Sequence, residues 1–136
     1  MKKNLYTFLI SLVLVAVSET IINQIFLKDS YGKLTELWRT PEELTNYAPI
    51  FLGIYIVFSL SFTYIFHLSK ENMNWKKGLQ LGLALGIFSR FWYAYTNLIV
   101  LPIPAELAFG WFSFGLIEVG IIGCICGYFF PKKSVS

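Results

Sequence analysis

Four long apolar runs alternate with short polar stretches along the chain, at about residues 5–27, 50–68, 77–101 and 105–130. Each is roughly 19 to 26 residues long, and about 20 apolar residues span a bilayer as a helix. Within hydrocarbon the backbone must satisfy its own hydrogen bonds, so each run is predicted to be helical. The pattern therefore predicts an all-α integral membrane fold. It is a single domain, 1–136, built as a four-transmembrane-helix antiparallel bundle.

The connections refine that picture. The stretch 28–49 is the longest. Thr40-Pro41-Glu42-Glu43 reads as a helix start, with a Thr cap, Pro at the first position and acids in the first turn. One or two short interfacial helices are expected in this first outer loop, with Trp38 at headgroup depth. Leu101-Pro102-Ile103-Pro104 is a tight turn, and Pro104 and Glu106 suit the start of the fourth helix. Short links make successive helices antiparallel neighbours.

Composition and charge agree with a membrane. Hydrophobic residues make up 56% of the chain and charged residues 14%, against about 25% charged in a typical soluble domain. A net charge of +3 with basic residues at the segment ends argues for orientation in a bilayer and against nucleic-acid binding. Lys2, Lys3, Lys70, Lys76, Lys77, Lys132 and Lys133 fall on one side; Lys28, Lys33 and Arg39 fall on the other. Seven against three places both termini and the 69–76 loop in the cytoplasm. A bacterial inner membrane is the expected location. The N-terminal segment resembles a secretory signal ending at Ala16-Val17-Ser18, but its apolar run continues to Leu27, so it is expected to stay as a span.

Charged groups inside spans are costly and mark functional candidates. Here they are Glu19, Arg90 and Glu118. At 1.5 Å per residue they lie about 12, 15 and 18 Å from the outer ends of their helices. Those depths overlap once tilt is allowed, which permits a Glu–Arg–Glu cluster. Asn23 shares the face of Glu19. Gly78, Gly82, Gly86 and Arg90 follow at four-residue steps, a small-residue stripe that leads to the arginine, and Tyr93 and Asn97 are expected to continue that face. Tyr55, Ser59, Thr63 and His67 form a polar stripe on the second helix, expected to face inward. Two acids and one arginine leave a surplus negative charge. Burial and a like charge nearby favour the neutral form of a carboxyl, and Glu19 is the expected proton-exchanging acid. The cluster reads either as an ionic lock or as a solute- or proton-binding site.

Gly120, Gly123 and Gly127 lie about 140–200° around the fourth helix from Glu118. If Glu118 faces the bundle centre, these glycines face outward, toward a homodimer or a larger membrane complex. Phe91, Trp92, Tyr93 and Tyr95 are read as core and lipid-facing bulk, or else as pocket walls. His67 is read as interfacial. Cys124 and Cys126 point about 200° apart on a helix and are read as packing residues. No phosphate loop, zinc-binding helix, Cys-x-x-Cys pair or nucleophile elbow occurs, so no cofactor, metal or enzymatic activity is expected.

Lys77-Gly78, Gly82, Gly86, Leu101-Pro102-Ile103-Pro104, Trp111, Glu118 and Gly123 follow an order that resembles small four-helix bacterial membrane proteins of unassigned function. The resemblance covers about the last sixty residues and implies no activity. Glu19 is also similar to the helix-one carboxylate of small multidrug transporters, from which Arg90, Glu118 and the long first outer loop depart. Two functions follow as expectations. The first is a non-enzymatic membrane subunit or assembly factor. The alternative is a small oligomeric transporter or channel working through Glu19, Arg90 and Glu118.

Overall fold

A computed structural model describes residues 2–69 and 73–130. Lys70, Lys132 and Lys133, used above for orientation, lie outside the described residues. Among the described residues the chain is helical throughout its regular structure. Helix α1 (Lys2–Ile21) continues through a π-helical turn, Ile22–Phe26, into the first loop. That loop holds two short helices, α2 (Lys28–Gly32) and α3 (Pro41–Asn46). Helix α4 (Ala48–Leu68) comes next. Residues 75–100 then run as α5 (Trp75–Gly86), a second π-helical turn (Ile87–Phe91) and α6 (Trp92–Val100). Helix α7 (Ala105–Phe129) closes the chain.

Three helical runs are long and apolar enough to cross a membrane: Asn4–Phe26, Ala48–Leu68 and Ala105–Phe129. They carry bulky apolar groups on their outer faces, Val13, Val57, Leu60 and Ile117 among them. A helix that is apolar nearly all round belongs in a core or a bilayer. The expected third segment is present as helix, but it is divided by the π turn and is not a single uninterrupted α-helix.

Local chemistry explains the loop ends. Thr40 caps α3 as expected: its hydroxyl accepts from the Glu43 amide, and the Glu43 carboxylate accepts from the Thr40 amide at 2.8 Å. Those Thr40 hydrogen bonds hold the Glu43 carboxyl below its ordinary range. Asn74 caps α5 by accepting from the amides of Lys76 and Lys77.

Packing is dominated by α5 against α7. A Cβ added at Gly78 would lie 2.1 Å from the Gly123 carbonyl oxygen, one at Gly82 2.3 Å from the Val119 oxygen, and one at Gly86 3.0 Å from Leu116. The contacts descend α7 as they climb α5, so the pair is antiparallel with its backbones nearly touching. Gly120, Gly123 and Gly127 are buried in this seam. This corrects the expectation of an outward glycine face: α7 sits between α1 on one side and α5 on the other, so its glycines are covered within the chain. Helix α4 packs on α1.

Two apolar cores result. One, toward the chain ends, contains Val15, Phe62, Phe66, Val119, Ile122 and Cys126. The other, at the opposite end, joins Leu27, Ile103, Leu107 and Ala108 and draws Tyr31, Leu34 and Trp38 of the first loop onto α7. The charged residues lie between them.

Candidate functional site

Glu19, Arg90 and Glu118 meet. The Arg90 Nη2 donates to Glu19 Oε1 and to Glu118 Oε2, at 2.7 Å each. The second oxygen of each acid has a neutral donor. Asn23 Nδ2 reaches Glu19 Oε2 at 2.8 Å, and the Ser18 hydroxyl donates to Glu118 Oε1. Each carboxylate oxygen thus has one partner, as buried polar groups require. The two acids differ in setting: the side chain of Glu118 is 1% exposed, that of Glu19 21% and that of Arg90 24%.

Both π turns carry site residues, Asn23 in the first and Arg90 in the second. A π turn widens the helix and frees carbonyls from the regular ladder; such turns often mark functional positions. Side chains cover the carbonyls here. Asn23 Nδ2 donates to the Glu19 carbonyl at 2.8 Å, and Ser89 Oγ to the Leu85 carbonyl at 2.7 Å. The expected face from Arg90 through Tyr93 to Asn97 reaches the site only in part. Tyr93 lines the site, whereas Asn97 bonds back to the Tyr93 carbonyl and does not.

Gly115 makes room for the arginine. A Cβ there would fall 2.7 Å from Arg90 Cδ and Nε, so the side chain crosses α7 at a notch. Trp111, Gly115 and Glu118 share one face of α7 at i, i+4 and i+7. That spacing is present in the sequence, and it would have added Trp111 and Gly115 to the candidates. Tyr31 is different, because no local pattern announces it. Its hydroxyl accepts from Trp111 Nε1 at 2.7 Å and donates to Asn23 Oδ1 at 2.7 Å. Tyr31 thereby ties the first loop to the charged cluster through Asn23 and Glu19. Burial pushes its phenol up to about 12, against the opposing pull of the Trp111 hydrogen bond, so it stays a neutral donor at physiological pH.

A cavity of about 1150 Å³ lies above this cluster. Small-molecule sites usually occupy about 300–1,000 Å³, so the space suffices for a solute. Glu19, Arg90 and Glu118 line its floor, and Phe51, Ile54 and Tyr55 of α4 form one wall. Tyr93 and Trp111 stand against each other, with ring centroids 5.3 Å apart, on another. Residues from Tyr31 to Leu44 of the first loop complete it.

The polar stripe on α4 is divided. Tyr55 reaches the cavity. Ser59 and Thr63 are buried, with hydroxyl oxygens that have no hydrogen-bond partner among the described residues. His67 sits at the far end, its Nδ1 3.0 Å from Asn4 Oδ1. Of the aromatic set, only Tyr93 walls the cavity. Phe91 and Tyr95 stack with each other and with Phe112, and Trp92 is exposed. Cys124 and Cys126 are free thiols.

No protein-family model matches the chain, and no match was found among curated proteins or solved structures. The chemistry of the cavity carries the functional reading.

Proposed function

We propose that the chain crosses the bilayer four times, with residues 75–100 as the third span, and works as a small solute carrier. In this reading both termini lie on the cytoplasmic side of a bacterial plasma membrane, in keeping with the lysine asymmetry. The solute occupies the cavity lined by the first loop, with Glu19, Arg90 and Glu118 at its floor. One observation supports this above the others: an ionic lock needs no space around it, whereas this cluster forms the floor of a cavity of about 1150 Å³. The apolar core around Phe62, Phe66 and Ile122 closes the other half, which favours a carrier closed on one side over an open channel. The glycines that would have served a docking face are covered by α5, so the cavity is the feature left to carry function.

The test is purification in lipid nanodiscs from native membrane, then native mass spectrometry. Wild-type protein is expected to retain a small molecule that is lost both from Glu118→Gln and from Thr20→Trp, which adds bulk at a cavity-lining residue that makes no ion pair. Retention of the same species by all three proteins, or a stoichiometric protein partner with no small molecule, would count against a carrier.

A further inference from the structure

The first loop lies across the cavity, with Thr35, Leu37, Trp38 and Leu44 among the lining residues. Its two short helices contain no fully buried residue. Its grip on the bundle comes from Tyr31, Leu34 and Trp38, which pack on the apolar core around Leu107. Tyr31 adds hydrogen bonds to two parts of the bundle. Its hydroxyl accepts from Trp111 Nε1 of α7 and donates to Asn23 Oδ1 in the π turn after α1, at 2.7 Å each. Asn23 is itself held by two acceptors: its Nδ2 donates to the Glu19 carbonyl and to Glu19 Oε2, at 2.8 Å each. A side-chain amide carries its donors on one atom and its acceptor on the other. With its nitrogen turned to Glu19, Asn23 presents its oxygen to Tyr31. The acid on the floor therefore helps to orient the group that the loop grips. This needs one lone pair on Glu19 Oε2 and does not depend on the net charge of the cluster.

One group in the loop works against this closure. Trp38 Nε1 is buried and has no hydrogen-bond acceptor among the described residues. An indole N–H buried without an acceptor forfeits its hydration and regains it once exposed. The Trp38 ring meets Tyr31 edge-on with centroids 5.3 Å apart, and Trp111 at 6.2 Å, so the unpaired donor sits beside the tie. A segment held by few contacts, with an unpaired donor opposing them, opens more readily than the close-packed seam of α5 and α7. We infer that residues 28–47 form a lid over the cavity, latched by the Tyr31 hydroxyl and coupled to the floor through Asn23 and Glu19. The inference rests on the cavity being a solute site. A solute that draws the Glu19 carboxyl away from Asn23 would loosen the amide, and with it the latch, so the state of the floor acts on the entrance.

Hydrogen–deuterium exchange of the full chain in nanodiscs, read by mass spectrometry, tests the lid. Tyr31→Phe keeps the ring and removes both hydrogen bonds. Exchange across residues 31–38, where the Leu34 and Leu37 amides are bonded within the loop, is expected to rise by about tenfold. Amides along the seam of α5 and α7 should keep their wild-type rates. Glu19→Gln should raise the same loop amides by about threefold. A glutamine offers one acceptor where Arg90 and Asn23 use two, while the Glu19 carbonyl still holds Asn23. In the double variant the loop no longer grips Asn23, so its exchange should match that of Tyr31→Phe alone. If Tyr31→Phe does not fold, Trp111→Phe cuts the tie to α7 only and should raise loop exchange by about threefold. Unchanged loop exchange on losing the tie, or an equal rise along α5 and α7, would overturn the lid. Multiplied effects in the double variant would overturn its coupling to the floor. Failure of the carrier reading would show instead in native mass spectrometry, as equal retention by wild type and Thr20→Trp, and would leave these exchange rates as they are.

Discussion

Replacing Gly78 or Gly123 by alanine is expected to cost about 3 kcal/mol or more, at or above the usual range for overpacking. The added Cβ at Gly78 would lie 2.1 Å from the Gly123 carbonyl oxygen, and that at Gly123 2.2 Å from the Gly78 oxygen. These obstacles are backbone atoms, which cannot swing aside as a side chain can. Helices α5 and α7 would have to separate along the seam, and the loss extends to every contact between them. Gly53 supplies the control. It lies inside α4 with nothing within 4 Å of its missing Cβ, so Gly53→Ala should be neutral or stabilising by up to about 1 kcal/mol. Thermal or denaturant unfolding in detergent micelles measures all three. Equal stability of the Gly78 and Gly53 variants would mean that α5 and α7 do not approach as described.

Arg90→Met is expected to destabilise by about 3 kcal/mol, toward the lower end for breaking a buried ion pair because the floor opens on a cavity. The cost comes from leaving Glu19 and Glu118 facing each other without their shared donor. Neutralising both acids as well, in Glu19→Gln/Arg90→Met/Glu118→Gln, should restore stability to within about 1 kcal/mol of wild type. Solute binding should not return with it. That separation distinguishes the two readings of the cluster. A lock would lose nothing once stability is recovered, whereas a site loses its ligand. If the triple variant binds solute as wild type does, the acids and the arginine are not the floor of the site.

Much of this arrangement was legible in residue order. The apolar runs located the helices to within a few residues, because length and hydropathy alone set a span. Thr40, Pro41 and Glu43 marked α3, because a capping box is local chemistry. The stripe from Gly78 to Arg90 pointed to the cluster, because a regular helix keeps four-residue steps on one face. Other features depended on neighbours. Gly120, Gly123 and Gly127 were placed outward because only their angle from Glu118 was known; α5 takes that side of α7, and the free side carries Phe109, Ile117 and Ile121 instead. Asn97 shares a face with Tyr93 but lies a turn farther along α6, where its amide donates to the Tyr93 carbonyl, a pairing that spacing alone does not reveal. Tyr31 joined the site only because the first loop folds back onto Trp111, a contact eighty residues apart in sequence.

In the proposed carrier, solvent and solute reach the charged floor from the side of the first loop. Side-specific thiol labelling measures that access. In a chain with Cys124 and Cys126 replaced by alanine, Tyr55→Cys places a thiol on the cavity wall, and Ser59→Cys places one a turn deeper, where the serine is fully buried. A membrane-impermeant trimethylammonium thiosulfonate added to the outer face should label Tyr55→Cys rapidly and leave Ser59→Cys unreacted. Labelling of Tyr55→Cys from the cytoplasmic face alone, or from neither face, would contradict an outward-opening cavity.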